Sequence, residues 1–101
     1  MPTVHRFRSL DAVEVSFALD RPDAHEVAVA VGSRGWCQIP MRRYPRDTGP
    51  FTITLRLPAG RPVEYRYLVD GHHWVDDPSA DAHLPNGLGG TNSVIDLGRQ
   101  D

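Results

Sequence analysis

Apolar residues recur at every second position in four separate segments, and this period of two restricts the chain to strands that each bury one face. Val13, Val15, Phe17 and Leu19 alternate with Ala12, Glu14, Ser16 and Ala18; Val27, Val29 and Val31 alternate with Ala28 and Ala30. Phe51, Ile53, Leu55 and Leu57 alternate with Thr52, Thr54 and Arg56. In the fourth segment Tyr65, Tyr67 and Val69 share one face, which turns Glu64, Arg66 and Leu68 away from the core. No segment carries the spacing of an amphipathic helix.

Turn-forming residues punctuate these runs at short intervals, as in Asp20-Arg21-Pro22-Asp23, Gly32-Ser33-Arg34-Gly35, Pro58-Ala59-Gly60 and Asp70-Gly71. Short strands broken this often point to an all-β sandwich. Weaker strands are expected over 38–42, at Trp74 and Val75, and over 93–97, giving about seven in all, the number of an immunoglobulin-like sandwich. With 101 residues the chain is one domain, expected over 10–98, with flexible tails at 1–9 and 99–101.

Composition excludes several function classes. The formal net charge of -2 offers no general attraction to phosphate backbones, so nucleic acid is not an expected partner. Arg42, Arg43 and Arg46 cluster beside Pro40, Pro45 and Asp47 without a glycine-rich cradle, and read as a solvated turn. No apolar run approaches the ~20 residues of a membrane span, so no membrane partner is expected. The single Cys37 cannot form a disulfide within the chain, and the first residues lack the apolar core of a signal peptide; a cytoplasmic location is expected.

Reaction chemistry is equally sparse. Asp76 and Asp77 are sequence neighbours, not carboxylates opposed across a sugar, and Cys37 has no histidine partner by motif. His72, His73, Asp76, Asp77 and His83 repeat at no recognised metal spacing, so neither a metal nor a cofactor is expected. A non-catalytic role follows.

The segment 63–97 remains the most distinctive. It joins a strand, the Asp70-Gly71 turn, Trp74 on the returning limb, and a loop over 77–92 rich in Gly, Pro and Asn. Loops of that length in small domains are often functional. The ordered set Pro58-Ala59-Gly60, Tyr65-Arg66-Tyr67-Leu68-Val69-Asp70-Gly71, Trp74, Asp77-Pro78, Asn86-Gly87, Gly89-Gly90 and Asn92-Ser93-Val94-Ile95 resembles the isoamylase N-terminal-like, or early-set, domain. This is carbohydrate-binding module family 48, which includes the glycogen-binding domain of the AMP-activated kinase beta subunit. The resemblance covers 13–97.

The resemblance implies an immunoglobulin-like sandwich that, in some members, binds α-1,4-linked glucans such as glycogen, starch or maltooligosaccharides without cleaving them. By position it assigns two stacking platforms to Trp36 and Trp74, a basic side chain that hydrogen-bonds sugar hydroxyls to Arg66, and loop contacts to Leu88 and Asn92. The loop Gly32-Ser33-Arg34-Gly35-Trp36 is one residue shorter than the family pattern and lacks its Phe and Asn. In other members the domain sits beside a catalytic barrel, which implies a glycoside hydrolase family 13-type enzyme as a possible protein partner. Each residue also has a plainer reading: Trp74 as a core indole, Arg66 in an ion pair with Glu64, Asn92 as a turn cap, Leu88 packed beneath its loop. A docking module that has lost sugar binding is the alternative function.

Overall fold

The structure, a computed structural model, describes residues 3–6, 12–46, 48–87 and 90–97. Ten strands follow in chain order among them: β1 (Thr3–Arg6), β2 (Ala12–Leu19), β3 (Val27–Val31), β4 (Gln38–Pro40), β5 (Arg42–Arg43), β6 (Phe51–Pro58), β7 (Pro62–Val69), β8 (His73–Val75), β9 (Ala82–Pro85) and β10 (Thr91–Asp96). All pairings are antiparallel, in a sheet ordered β1-β2-β6-β5 and a second ordered β4-β3-β7-β10-β9, with β8 also on β7. The two sheets pack as an immunoglobulin-like sandwich.

The alternation read from the sequence supplies the core. Val13, Val15 and Phe17 of β2 and Leu55 and Leu57 of β6 meet Val29, Val31, Tyr65 and Tyr67 of the second sheet, all buried. Each such side chain contributes about 1.5–3 kcal/mol by leaving water. Phe17 and Tyr65 carry the contact between sheets, their rings tilted at 60° with centroids 5.0 Å apart.

Buried polar groups tie the 77–92 segment to this core. Asp77 is 2% exposed; the hydroxyls of Tyr65 and Tyr67 both donate to its Oδ2, at 2.9 and 3.3 Å. The Ser79 backbone N–H and hydroxyl donate to Oδ1 at 2.9 and 2.7 Å, and the Asp77 N–H donates to Ser93 Oγ at 2.8 Å. Burial alone would raise the Asp77 carboxyl, but the Ser79 and Tyr65 hydrogen bonds outweigh it and hold the group below its ordinary value. Burial, reinforced by the neighbouring Asp77, pushes both tyrosine hydroxyls well above theirs.

Four expectations need correction. Thr3–Arg6 is not a tail but an edge strand, with Val4 opposite Val15 and packed on the core; backbone pairing needs no long apolar pattern. Residues 99–101 lie outside the described residues. The expected strand over 38–42 is two strands, β4 and β5, paired into different sheets, and the expected loop over 77–92 contains β9, so ten strands replace about seven. Arg43 is not solvated: its guanidinium donates to the carbonyls of Gly49, Ala24 and Pro22 and lies 4.8 Å from the Phe51 ring centroid.

β7 explains where a site can form. Along one side it pairs with β3 from Tyr65 to Val69. Along the other, β10 covers Pro62 to Tyr65 and β8 covers Tyr67 to Val69, so two strands share one edge end to end. Arg66 falls at the gap between them. The Thr91 hydroxyl, donating to Asp76 Oδ2, joins the two strands across that gap.

Candidate functional site

The hairpin that carries Trp74 is fixed by its turn. His72 N–H donates to Val69 O at 3.2 Å, and Asp70 and Gly71 both have positive φ, 52° and 77°, as a tight hairpin turn requires. Asp70 Oδ1 accepts the backbone N–H groups of His25 and Glu26 at 2.7 and 3.0 Å, anchoring the hairpin beside β3. The bonds from Glu26 and then His25 hold the Asp70 carboxyl below its ordinary value. Trp74 then stands opposite Leu68 on the outer face of the sheet, 42% exposed. It is not a core indole.

Arg66 shares that face, and its guanidinium carbon lies 5.1 Å from the Trp74 ring centroid. Such a cation–π contact orients both groups while the plane of the guanidinium stays able to donate. Its Nε is buried without a hydrogen-bond partner. A buried donor left unmatched is costly, and here it sits beside an open hollow. Glu64 does not pair with Arg66; its Oε1 accepts a hydrogen bond from Asn92 Nδ2 at 3.1 Å. Asn92 is therefore a half-satisfied amide within β10, not a turn cap.

Trp36 arrives by a different route. A short 3-10 turn at Gly32–Arg34 is followed by Gly35 and Trp36 in the left-handed region, φ 69° and 62°. The Trp36 N–H donates to Val31 O at 3.0 Å, and Arg34 Nη2 donates to Arg56 O at 2.7 Å, pinning the turn to the sandwich. A left-handed tryptophan costs about 1–2 kcal/mol, a strain typical of functional positions. Gly32 makes room for the indole: a Cβ there would stand 3.1 Å from Trp36 Cζ2. The ring is 41% exposed.

Trp36, Arg66, Trp74 and Asn92 converge, with Asn86, on one hollow of about 270 Å3. Four of the five residues assigned by position thus line a single space. Leu88 lies outside the described residues. Asn86 was missed, although its Asn-Gly signal marks a turn; its backbone N–H donates to Gly90 O at 3.0 Å and its Oδ1 accepts the Gly90 N–H at 3.2 Å. Among the described residues the lining offers aromatic faces, donors and amide acceptors, but no carboxylate, imidazole or thiol.

Two of the histidines are engaged elsewhere. His72 Nδ1 is 2.7 Å from Asp70 O and His83 Nε2 is 2.8 Å from Asp77 O. Among the described residues no group of three His, Cys, Asp or Glu side chains could hold a metal ion, and no helix is long and apolar enough to cross a membrane.

No family model and no curated protein matches the chain. Solved structures do. The enterobactin esterase FES from Shigella flexneri, in the presence of enterobactin, superposes with a TM-score of 0.78 at 17% identity, over 99% of this chain and 34% of that one. The same esterase with 2,3-di-hydroxy-N-benzoyl-serine gives 0.75 at 17%, over 96% and 32%. The ferric enterobactin esterase from Salmonella typhimurium gives 0.75 at 13%, over 95% and 34%. The chain spans about a third of the length of these enzymes. At such identity the likeness establishes a shared fold alone.

Proposed function

We propose that this chain is a non-catalytic binding module for α-1,4-glucans of the glycogen or starch type, acting in the cytoplasm. The observation that carries this reading is the convergence of two half-exposed indoles, a partly unsatisfied arginine and two amides on one hollow. A glucose ring has an apolar C–H face that stacks on indole and a rim of hydroxyls that both donate and accept. Trp36 and Trp74 supply the platforms; Arg66 supplies donors, and Asn86 and Asn92 supply both donors and acceptors.

Each stacking contact and each neutral hydrogen bond contributes about 0.5–1.5 kcal/mol. Two platforms and two or three bonds place the dissociation constant for a short oligosaccharide between about 1 µM and 1 mM. Titration with maltoheptaose, followed by tryptophan fluorescence, should saturate in that range in the native chain, and the response should be lost in Trp74→Ala with the fold intact. No response at high millimolar sugar would overturn the reading.

A second reading is favoured by the structural neighbours, in which the same sandwich forms about a third of an esterase chain. In it the outer face docks against a catalytic unit, such as a carbohydrate-active enzyme of the glycoside hydrolase family 13 type. Saturable binding of free maltoheptaose distinguishes the first reading from the second.

A further inference from the structure

Trp36 borders two spaces. Besides the hollow it shares with Trp74, it lines a second of about 410 Å3, together with Gly32, Ser33, Arg61 and Glu64. The two spaces follow one strand: Arg66 of β7 belongs to the first and Glu64, two residues earlier on the same face, to the second. The Glu64–Asn92 hydrogen bond links their rims at 3.1 Å. Ser33 and Arg61 are exposed, so the far hollow presents a hydroxyl and a guanidinium beside Trp36.

We infer that these hollows form one groove along β7, with Trp36 as a shared wall, and that it takes an extended α-glucan chain of which Trp74 holds one part and the Arg61 hollow the next. This rests on the α-glucan reading and adds to it a preference for chain length. The strained conformation of Trp36 then has a use: it sets the residue where it lines both hollows. The mixed lining of the second hollow, aromatic on one wall with Ser33, Arg61 and Glu64 around it, suits a hydroxyl-rich chain better than an apolar peptide segment.

The test is calorimetric titration of the full chain with maltotriose and maltoheptaose, in the native form and in Arg61→Ala, beside backbone amide spectra. Overlapping registers alone favour the longer sugar by about fivefold on a single hollow. The extended groove should raise that preference to about thirtyfold. Arg61→Ala should weaken maltoheptaose about fivefold and leave maltotriose within about twofold. The Ser33 and Glu64 amides should shift with the longer sugar only. Both sugars binding at the statistical ratio, with Arg61→Ala silent and these amides unmoved, would end the groove at Trp36 and leave the glucan reading standing. No binding of either sugar by the native chain would remove both.

Discussion

The two faces of β7 carry polar groups of opposite character. On the inner face the hydroxyls of Tyr65 and Tyr67 close on Asp77, which Ser79 and Ser93 also hold. On the outer face Arg66 keeps a buried Nε without a partner, Asn92 is tied through one bond to Glu64, and Trp74 remains half exposed. Alternate residues of one strand thus differ in what they hold: the satisfied network ties the segment after β8 to the core, and the incompletely satisfied one lines the outer hollow. Substitutions on the two faces should therefore separate stability from binding.

The largest effect should come from the inner face. Asp77→Ala leaves the Tyr65 hydroxyl without its acceptor and the Tyr67 hydroxyl with the Ala18 carbonyl at 3.4 Å, and should destabilise the fold by about 2–3 kcal/mol in chemical denaturation. A loss below about 1 kcal/mol would mean that the tyrosines find other partners and that the inner face is not closed as described. On the outer face Trp74→Ala should do the reverse. Its indole is half exposed and lies outside the core cluster, so stability should change by less than about 1 kcal/mol, while maltoheptaose affinity should fall about tenfold or more. Equal losses of stability and affinity would erase the distinction between the faces.

The sequence revealed these faces unequally. Period-two alternation placed Tyr65 and Tyr67 inside and Arg66 outside, because a strand's side-chain direction is local information. Trp74 followed from the Asp70-Gly71 turn, whose positive φ values only a few residue types accept readily. Asp77 was hidden, since an aspartate before proline reads as an exposed turn residue and only the tertiary arrangement sets two hydroxyls beside it. β9 was hidden too: Ala82-His83-Leu84-Pro85 is exposed throughout, so no alternation marks it. The gap beside Arg66 depends on β8 and β10 sharing one edge of β7, a long-range fact that no single segment contains.

Arg66 sharpens the comparison because its two effects should differ in sign. Arg66→Met keeps an unbranched side chain over the sheet but removes the unmatched Nε, so stability should hold or rise by up to about 1 kcal/mol. Maltoheptaose affinity should drop about fivefold as the donors are lost. Destabilisation by more than about 1 kcal/mol would show that the guanidinium supports the fold and is not held ready for a ligand.

Acid should expose the inner face more gently, because protonation leaves the Asp77 oxygens in place whereas Asp77→Ala deletes them. The folded carboxyl lies below its ordinary value, so the unfolded chain takes up the proton first as pH falls. The resulting stabilisation is complete above the unfolded value of about 3.9 and is lost as pH drops through the folded one. Denaturation curves should accordingly show stability declining below about pH 4. Asp70 is shifted in the same direction by the Glu26 and His25 N–H groups, so Asp77→Ala should flatten the decline without abolishing it, and adding Asp70→Ala should flatten it further. An unchanged acid slope in Asp77→Ala would mean that its hydrogen bonds do not favour the charged form, and the contrast between a closed inner face and an open outer one would then rest on the tyrosines alone.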